Sequence, residues 1–141
     1  MKSLNRDSVL QKEKLQIVQV DLGNEECVYV RQMTGRDRDT FEQSVIKAKR
    51  NAKGEIETYE TVMDNFRSKL IVMTLCDESG ELILQPGDVG TLNQNMSALR
   101  IDKIVAASQK LNAISEKDKE DLVKNSGAGL AGSSSSDSAG N

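Results

Sequence analysis

Residues 58–76 read TYETVMDNFRSKLIVMTLC, and their periodicity organises the rest of the chain. Tyr59, Val62, Met63, Phe66, Leu70 and Met73 recur at the three- and four-residue steps of one helix face, while Glu60, Asp64, Arg67 and Lys69 fall elsewhere. The spacing predicts a helix from Thr58 to Cys76 with one buried face. In its second half the apolar character spreads around the axis, because Leu70, Ile71, Val72, Met73, Leu75 and Cys76 follow with only Thr74 between them. That end is expected to be covered on more than one side, by other parts of the chain or by a partner.

Upstream, LQIVQVDL (Leu15–Leu22) and ECVYVRQ (Glu26–Gln32) are β-branched, alternating runs separated by Gly23-Asn24-Glu25. They read as an antiparallel hairpin. Thr34 is placed to cap a helix through GRDRDTFEQSVIKAKR, with Asp37 near its start. Phe41, Val45 and Ala48 lie on one stripe of that expected helix, and Lys47, Lys49 and Arg50 fall in its last turn. Asn51–Glu57 then forms the loop into the organising helix. Residues 1–14, MKSLNRDSVLQKEK, are a charged arm, frayed or in one short helix, with Leu4, Val9 and Leu10 as apolar anchors.

Downstream, Ser79-Gly80 signals a turn, and Leu82–Leu84 reads as a short strand or an extended crossing segment. Pro86-Gly87 ends it, and Asp88 starts a helical turn through Leu92. Ser97 caps a clearer helix whose Leu99, Ile101, Ile104, Val105, Ala107 and Leu111 include a continuous apolar face. A peripheral helix is expected from Ser115, and from Ser126 a disordered Gly/Ser/Ala-rich tail. The expected architecture is α+β: an N-terminal antiparallel hairpin against a mostly helical body. One domain spans residues 15–125, between the arm at 1–14 and the tail at 126–141.

The chain has 141 residues, a formal net charge of −3 and no His, which removes His-based catalysis and ligation. The near-balanced charge and 3% aromatic content argue against nucleic acid as a partner. Cys27 and Cys76 stand apart without CxxC spacing and read as reduced thiols. With no apolar run long enough for a bilayer, a soluble cytoplasmic protein without membrane contact is expected.

Four constellations invite chemistry. Gly35-Arg36-Asp37-Arg38-Asp39 lacks the Gly-rich loop of a phosphate site and reads as a solvated helix start. Asp77, Glu78 and Glu81 do not have the spacing of a calcium loop and read as a polar turn. Ser133–Ser136 offers hydroxyls without a base or oxyanion motif and reads as flexible polar sequence. Met33, Met63, Met73 and Met96 fill a core poor in aromatics or line an adaptable groove. The expectation is a non-enzymatic protein with no cofactor and no metal.

The succession VYVRQMTGRDRDTFE, RSKLIVMTLCDESGELIL and PGDVGTLNQNMSALRIDKIVAASQKLNAIS resembles the tail assembly chaperones of long, flexible-tailed bacteriophages. LIVMTLCDESGELIL and the residues Ile104, Ala107, Leu111 and Asn112 carry most of the likeness, which runs from about Gln16 to Val123. The resemblance implies a host-cytoplasmic protein, absent from the finished virion, that binds the tape measure protein, keeps it soluble and helps recruit major tail protein. Many members of that family are also made in a second, longer form by a programmed −1 ribosomal frameshift near the end of the gene. Val123-Lys124-Asn125 can be encoded by GUA AAA AAU, which contains an A-AAA-AAU slippery heptamer. The alternative is a tail-completion or head–tail connector subunit retained in the virion. Joined to the apolar pattern, the resemblance puts an oligomer interface or tape-measure groove at Leu70, Ile71, Met73, Leu75, Ile101, Ile104, Val105 and Leu111.

Overall fold

A computed structural model describes residues 1–114. The expected last helix and the Gly/Ser/Ala-rich tail lie outside them. The hairpin forms as β1 (Ile17–Gly23) and β2 (Glu26–Arg31), antiparallel, with Val18 opposite Val30 and Val20 opposite Val28. Its turn places Asn24 at φ 55° and Glu25 at φ 60°, the pair of left-handed residues that matches the twist of two short strands. Alternation puts Val20, Leu22 and Val30 on the buried face, and leaves Gln19, Asp21 and Cys27 exposed.

Thr34 caps α2 (Gly35–Ser44): its hydroxyl accepts from the Asp37 amide, and the Asp37 carboxylate accepts from the Thr34 amide. The helix stops at Ser44, six residues short of the predicted end. Ile46–Arg50 is instead a strand, β3, paired antiparallel with β4 (Ile56–Thr61). This overturns the first half of the predicted Thr58–Cys76 helix. The sequences IKAKR and IETYET alternate with period two and carry Ile, Thr and Tyr, which fit a pleated surface. Between them, the Asn51 side-chain oxygen accepts from the amides of Lys53 and Glu55, and Gly54 takes φ 83°, so the supposed interhelical loop is a hairpin turn. Lys47 sits opposite Glu60 across the ladder rather than at a helix end.

The helix proper is α3 (Phe66–Val72), entered through Asn65 at φ 59°. A left-handed residue there breaks any helix running in from Thr58. Then β5 (Leu75–Cys76) adds to the edge of β2, giving a three-stranded sheet in the order β1-β2-β5. Leu82 pairs with Cys76 in an antiparallel bridge, so the segment at 82–84 joins β5 and not the first hairpin. A single 3-10 turn (Pro86–Asp88) leads into α4 (Val89–Asn95), and Ser97 caps α5 (Ala98–Leu111) by accepting from the Arg100 amide. The arm contains one short helix, α1 (Arg6–Leu10), with no buried residue.

The core lies between the inner face of the β1–β2 hairpin, α3 and α5. Val20, Leu22 and Val30 meet Ile101, Ile104 and Val105, with Leu70 and Ile71 beside them. Phe41 and Phe66, the only two Phe in the chain, meet edge to face with ring centroids 5.3 Å apart, which fastens α2 to α3. The fold is therefore α+β as expected, with a second small antiparallel sheet that was not expected.

Candidate partner-binding groove

The apolar residues predicted for a partner are mostly committed to the core. Leu70, Ile71, Ile101 and Ile104 are at most 2% exposed, and Leu75 and Val105 are also buried. Met73 and Leu111 are half-buried and pack against the same cluster. The domain covers this surface by itself, the first of the two alternatives that the sequence left: α3 lies against α5, α2 and α4. The methionines do not gather either. Met96 lines one hollow and Met33 another, while Met63 and Met73 line neither.

Beneath the core, polar side chains lock the elements in place. The Arg31 guanidinium donates to the Gly80 carbonyl at 2.7 Å and to the Asp37 carboxylate at 2.9 Å, joining β2 to the β5 turn and to the start of α2. Both partners of that ion pair are largely shielded, and the two terminal nitrogens of Arg reach two separate acceptors, which the single ammonium of Lys matches less well. Asn112, at the end of α5, accepts from the Met33 amide at 2.7 Å and donates to the carbonyls of Arg31 and Ser108. The buried Thr74 and Ser108 hydroxyls meet at 2.9 Å, and Thr74 also reaches the Leu70 carbonyl. Each of these bonds satisfies a group that burial would otherwise penalise.

Asp77, Glu78 and Glu81 form a turn. One Asp77 oxygen accepts from the Ser79 amide and hydroxyl and from the Glu81 amide. The Ser79 hydroxyl bond, followed by the Glu81 amide, holds the Asp77 carboxyl below the ordinary aspartate range. Burial pushes the Cys76 thiol up, partly opposed by Arg31. Partial burial, then the Glu78 and Cys27 charges, push the Tyr29 phenol up. Among the described residues no three acidic, Cys or His side chains are grouped to hold a metal ion, and no helix is long and apolar enough to cross a membrane.

Beside α4 lies a groove of about 660 Å³; a second, more polar hollow of about 800 Å³ lies between the arm, β2 and the C-terminal end of α5. The apolar floor of the groove is Leu84, Leu92 and Met96, each half-buried against the core, and its rim is Asp88, Thr91, Asn95, Ser97 and Arg100. Ile83 and Leu99, 54% and 68% exposed, are the sequence neighbours of Leu84 and Arg100 and do not line it. Local chemistry fixes the walls. Pro86 starts the 3-10 turn, the Asp88 carboxylate accepts from the Gln85 amide at 2.8 Å, and the Ser68 hydroxyl holds Asn93 from α3. Arg100 is turned aside by its ion pair with Glu26 at the hairpin tip. The i, i+4 spacing of Leu92 and Met96 was the available sequence signal; three short elements, each with one apolar residue, hid the rest.

Such a groove suits one apolar helix face with a charged flank, a volume within the range of ligand-binding clefts. Comparison with known proteins adds no relative: no family model, no curated protein and no solved structure matches the chain.

Proposed function

We propose that this chain is a tail assembly chaperone of a long-tailed bacteriophage, which binds helical segments of the tape measure protein, keeps them soluble and helps recruit major tail protein. The observation that supports it best is the convergence of the stretches carrying the resemblance. Arg31 of VYVRQ, Asp37 of TGRDRD, Gly80 of DESGE and Asn112 of SQKLN belong to one hydrogen-bonded cluster, although they are scattered over 82 residues of sequence. Coupled positions of this kind specify a fold, whereas isolated surface likeness does not. In this reading the chemistry is non-covalent. The Leu84, Leu92 and Met96 groove takes the apolar stripe of a tape-measure helix.

Co-expression with the tape measure protein tests the proposal. The tape measure protein should shift from the pellet to the soluble fraction and co-purify with this chain, and mass spectrometry of purified virions should find the chain missing. A tape measure protein that stays insoluble, or a chain present in stoichiometric amount in virions, contradicts it. The second outcome points to a structural tail subunit instead.

A further inference from the structure

Strand β1 leaves one side of its sheet unpaired, and the hydrogen bonds of β2 show which of its groups are free. The Arg31 amide donates to the Thr74 carbonyl at 2.9 Å, so residue 31 turns its backbone polar groups toward β5 and away from β1. Ile17, opposite Arg31, then turns its own amide and carbonyl away from β2, and Gln19 and Asp21 follow with period two. Gln32 shows the other phase, donating to the Gln16 carbonyl at 3.0 Å. β1 is the outer strand of the order β1-β2-β5, and among the described residues nothing bonds the outward backbone groups of Ile17, Gln19 and Asp21.

The other strand edges are protected against pairing. β5 is two residues long, and its outer side is taken by Leu82 and by the Ile83 amide, which donates to the Leu75 carbonyl. β3 carries Lys47, Lys49 and Arg50, and β4 carries Glu57 and Glu60. Short length, charge and covering segments are the devices that keep an edge from adding strands. β1 has none of them: from Leu15 to Gly23 its one charge is Asp21, it contains no Pro, and its register is unbroken as far as Asp21. Nor does α5 reach over this edge, because Val18, on the same face as buried Val20 and Leu22, is 40% exposed.

The edge matches itself. Turned end for end about a two-fold axis at Gln19, two β1 strands set Gln19 opposite Gln19, Ile17 opposite Asp21 and Val18 opposite Val20. Every outward amide and carbonyl from 17 to 21 gains a partner, and Val18 is covered. Charge agrees with that direction. The chain enters β1 through Lys12 and Lys14, with Glu13 between them, and leaves it through Asp21 and Glu25. Neither lysine makes an ion pair among the described residues. An antiparallel mate therefore brings the basic end of each edge to the acidic end of the other, and holds the two Asp21 carboxylates about 13 Å apart along the strands.

We propose that β1 of one copy pairs antiparallel with β1 of a second across a two-fold axis at Gln19, joining two three-stranded sheets into one. The contact is far smaller than the roughly 20–30 residues a side of a standard interface, so the dimer is weak and reversible. It stands on β1 alone and is independent of the chaperone reading.

Sedimentation velocity on the full chain up to about 1 mM tests it, with hydrogen exchange read at single amides. Wild type should pass from monomer to dimer as concentration rises, and the Gln19 amide should exchange more slowly in the concentrated sample. Gln19 is exposed and faces its own mate across the axis, so Gln19→Glu and Gln19→Lys should each weaken the dimer by about tenfold with unchanged circular dichroism. An equimolar mixture of the two should form a heterodimer tighter than either variant's own dimer. A wild type that stays monomeric, a charge variant that dimerises like wild type, or a mixture no tighter than the variants alone would overturn it. So would a dimer in which the Gln19 amide exchanges as fast as in the monomer, because the contact would then lie elsewhere.

Discussion

At the scale of single residues, Asn112 ties the end of α5 to β2 and to the segment after it through two hydrogen bonds, and a third holds it to Ser108 of α5 itself. Asn112→Ala leaves the Met33 amide and the Arg31 carbonyl without that partner. It should cost about 1–3 kcal/mol in urea denaturation, and a loss near zero would show that water replaces the side chain. Asp77 offers a pH test. Its folded pKa is depressed, so its contribution is complete above the unfolded aspartate value of about 3.9 and is lost as pH falls through the lower folded value. Carboxyl NMR should titrate Asp77 below that value, and Asp77→Ala should flatten stability against pH in this acid window; a midpoint at or above the ordinary value contradicts the turn. The polar turn at Asp77–Glu81 was legible, because Ser79-Gly80 and its neighbours are adjacent in sequence. The role of Asn112 was not: its partners Met33 and Arg31 lie 79 and 81 positions away, and no local pattern encodes such pairing.

Among the elements, those governed by local chemistry were readable. The Gly-Asn turn, the Thr34 cap and the Ser97 cap each placed a real element. The failure at Thr58–Thr61 came from a coincidence: Tyr59, Val62, Met63 and Phe66 satisfy helical spacing while Ile56–Thr61 also satisfies strand alternation. Pairing decided between them, since β3 presents a matching edge and Asn65 turns the chain before α3 begins. Strain at the first hairpin gives an element-scale prediction. Glu25 occupies a left-handed conformation that costs a non-Gly residue about 1–2 kcal/mol. Glu25→Gly should therefore stabilise the domain by up to about 1 kcal/mol after the added unfolded-state entropy. A lower thermal midpoint for this variant would contradict the turn geometry.

Across the whole molecule, the run Leu70–Cys76 looked like an excess of apolar surface and is the centre of the core. With 3% aromatic residues, a domain this small needs almost every large aliphatic side chain inside, so a richly apolar stretch marks the interior first. The open apolar surface is made by pieces the sequence does not set side by side: Leu84 after β5, Leu92 on α4 and Met96 before α5. The α+β class was therefore legible and the groove was not. The claim at this scale is that partner recognition belongs to that groove and not to the buried face of α3. Titrating the isotope-labelled chain with an apolar helical segment of the tape measure protein, followed by amide NMR, tests it most directly. Shifts concentrated at Leu84, from Asp88 to Met96 and at Arg100, and lost in Thr91→Arg, are the expected result; no binding, or shifts centred on the outer face of the β1–β2 hairpin, would contradict it.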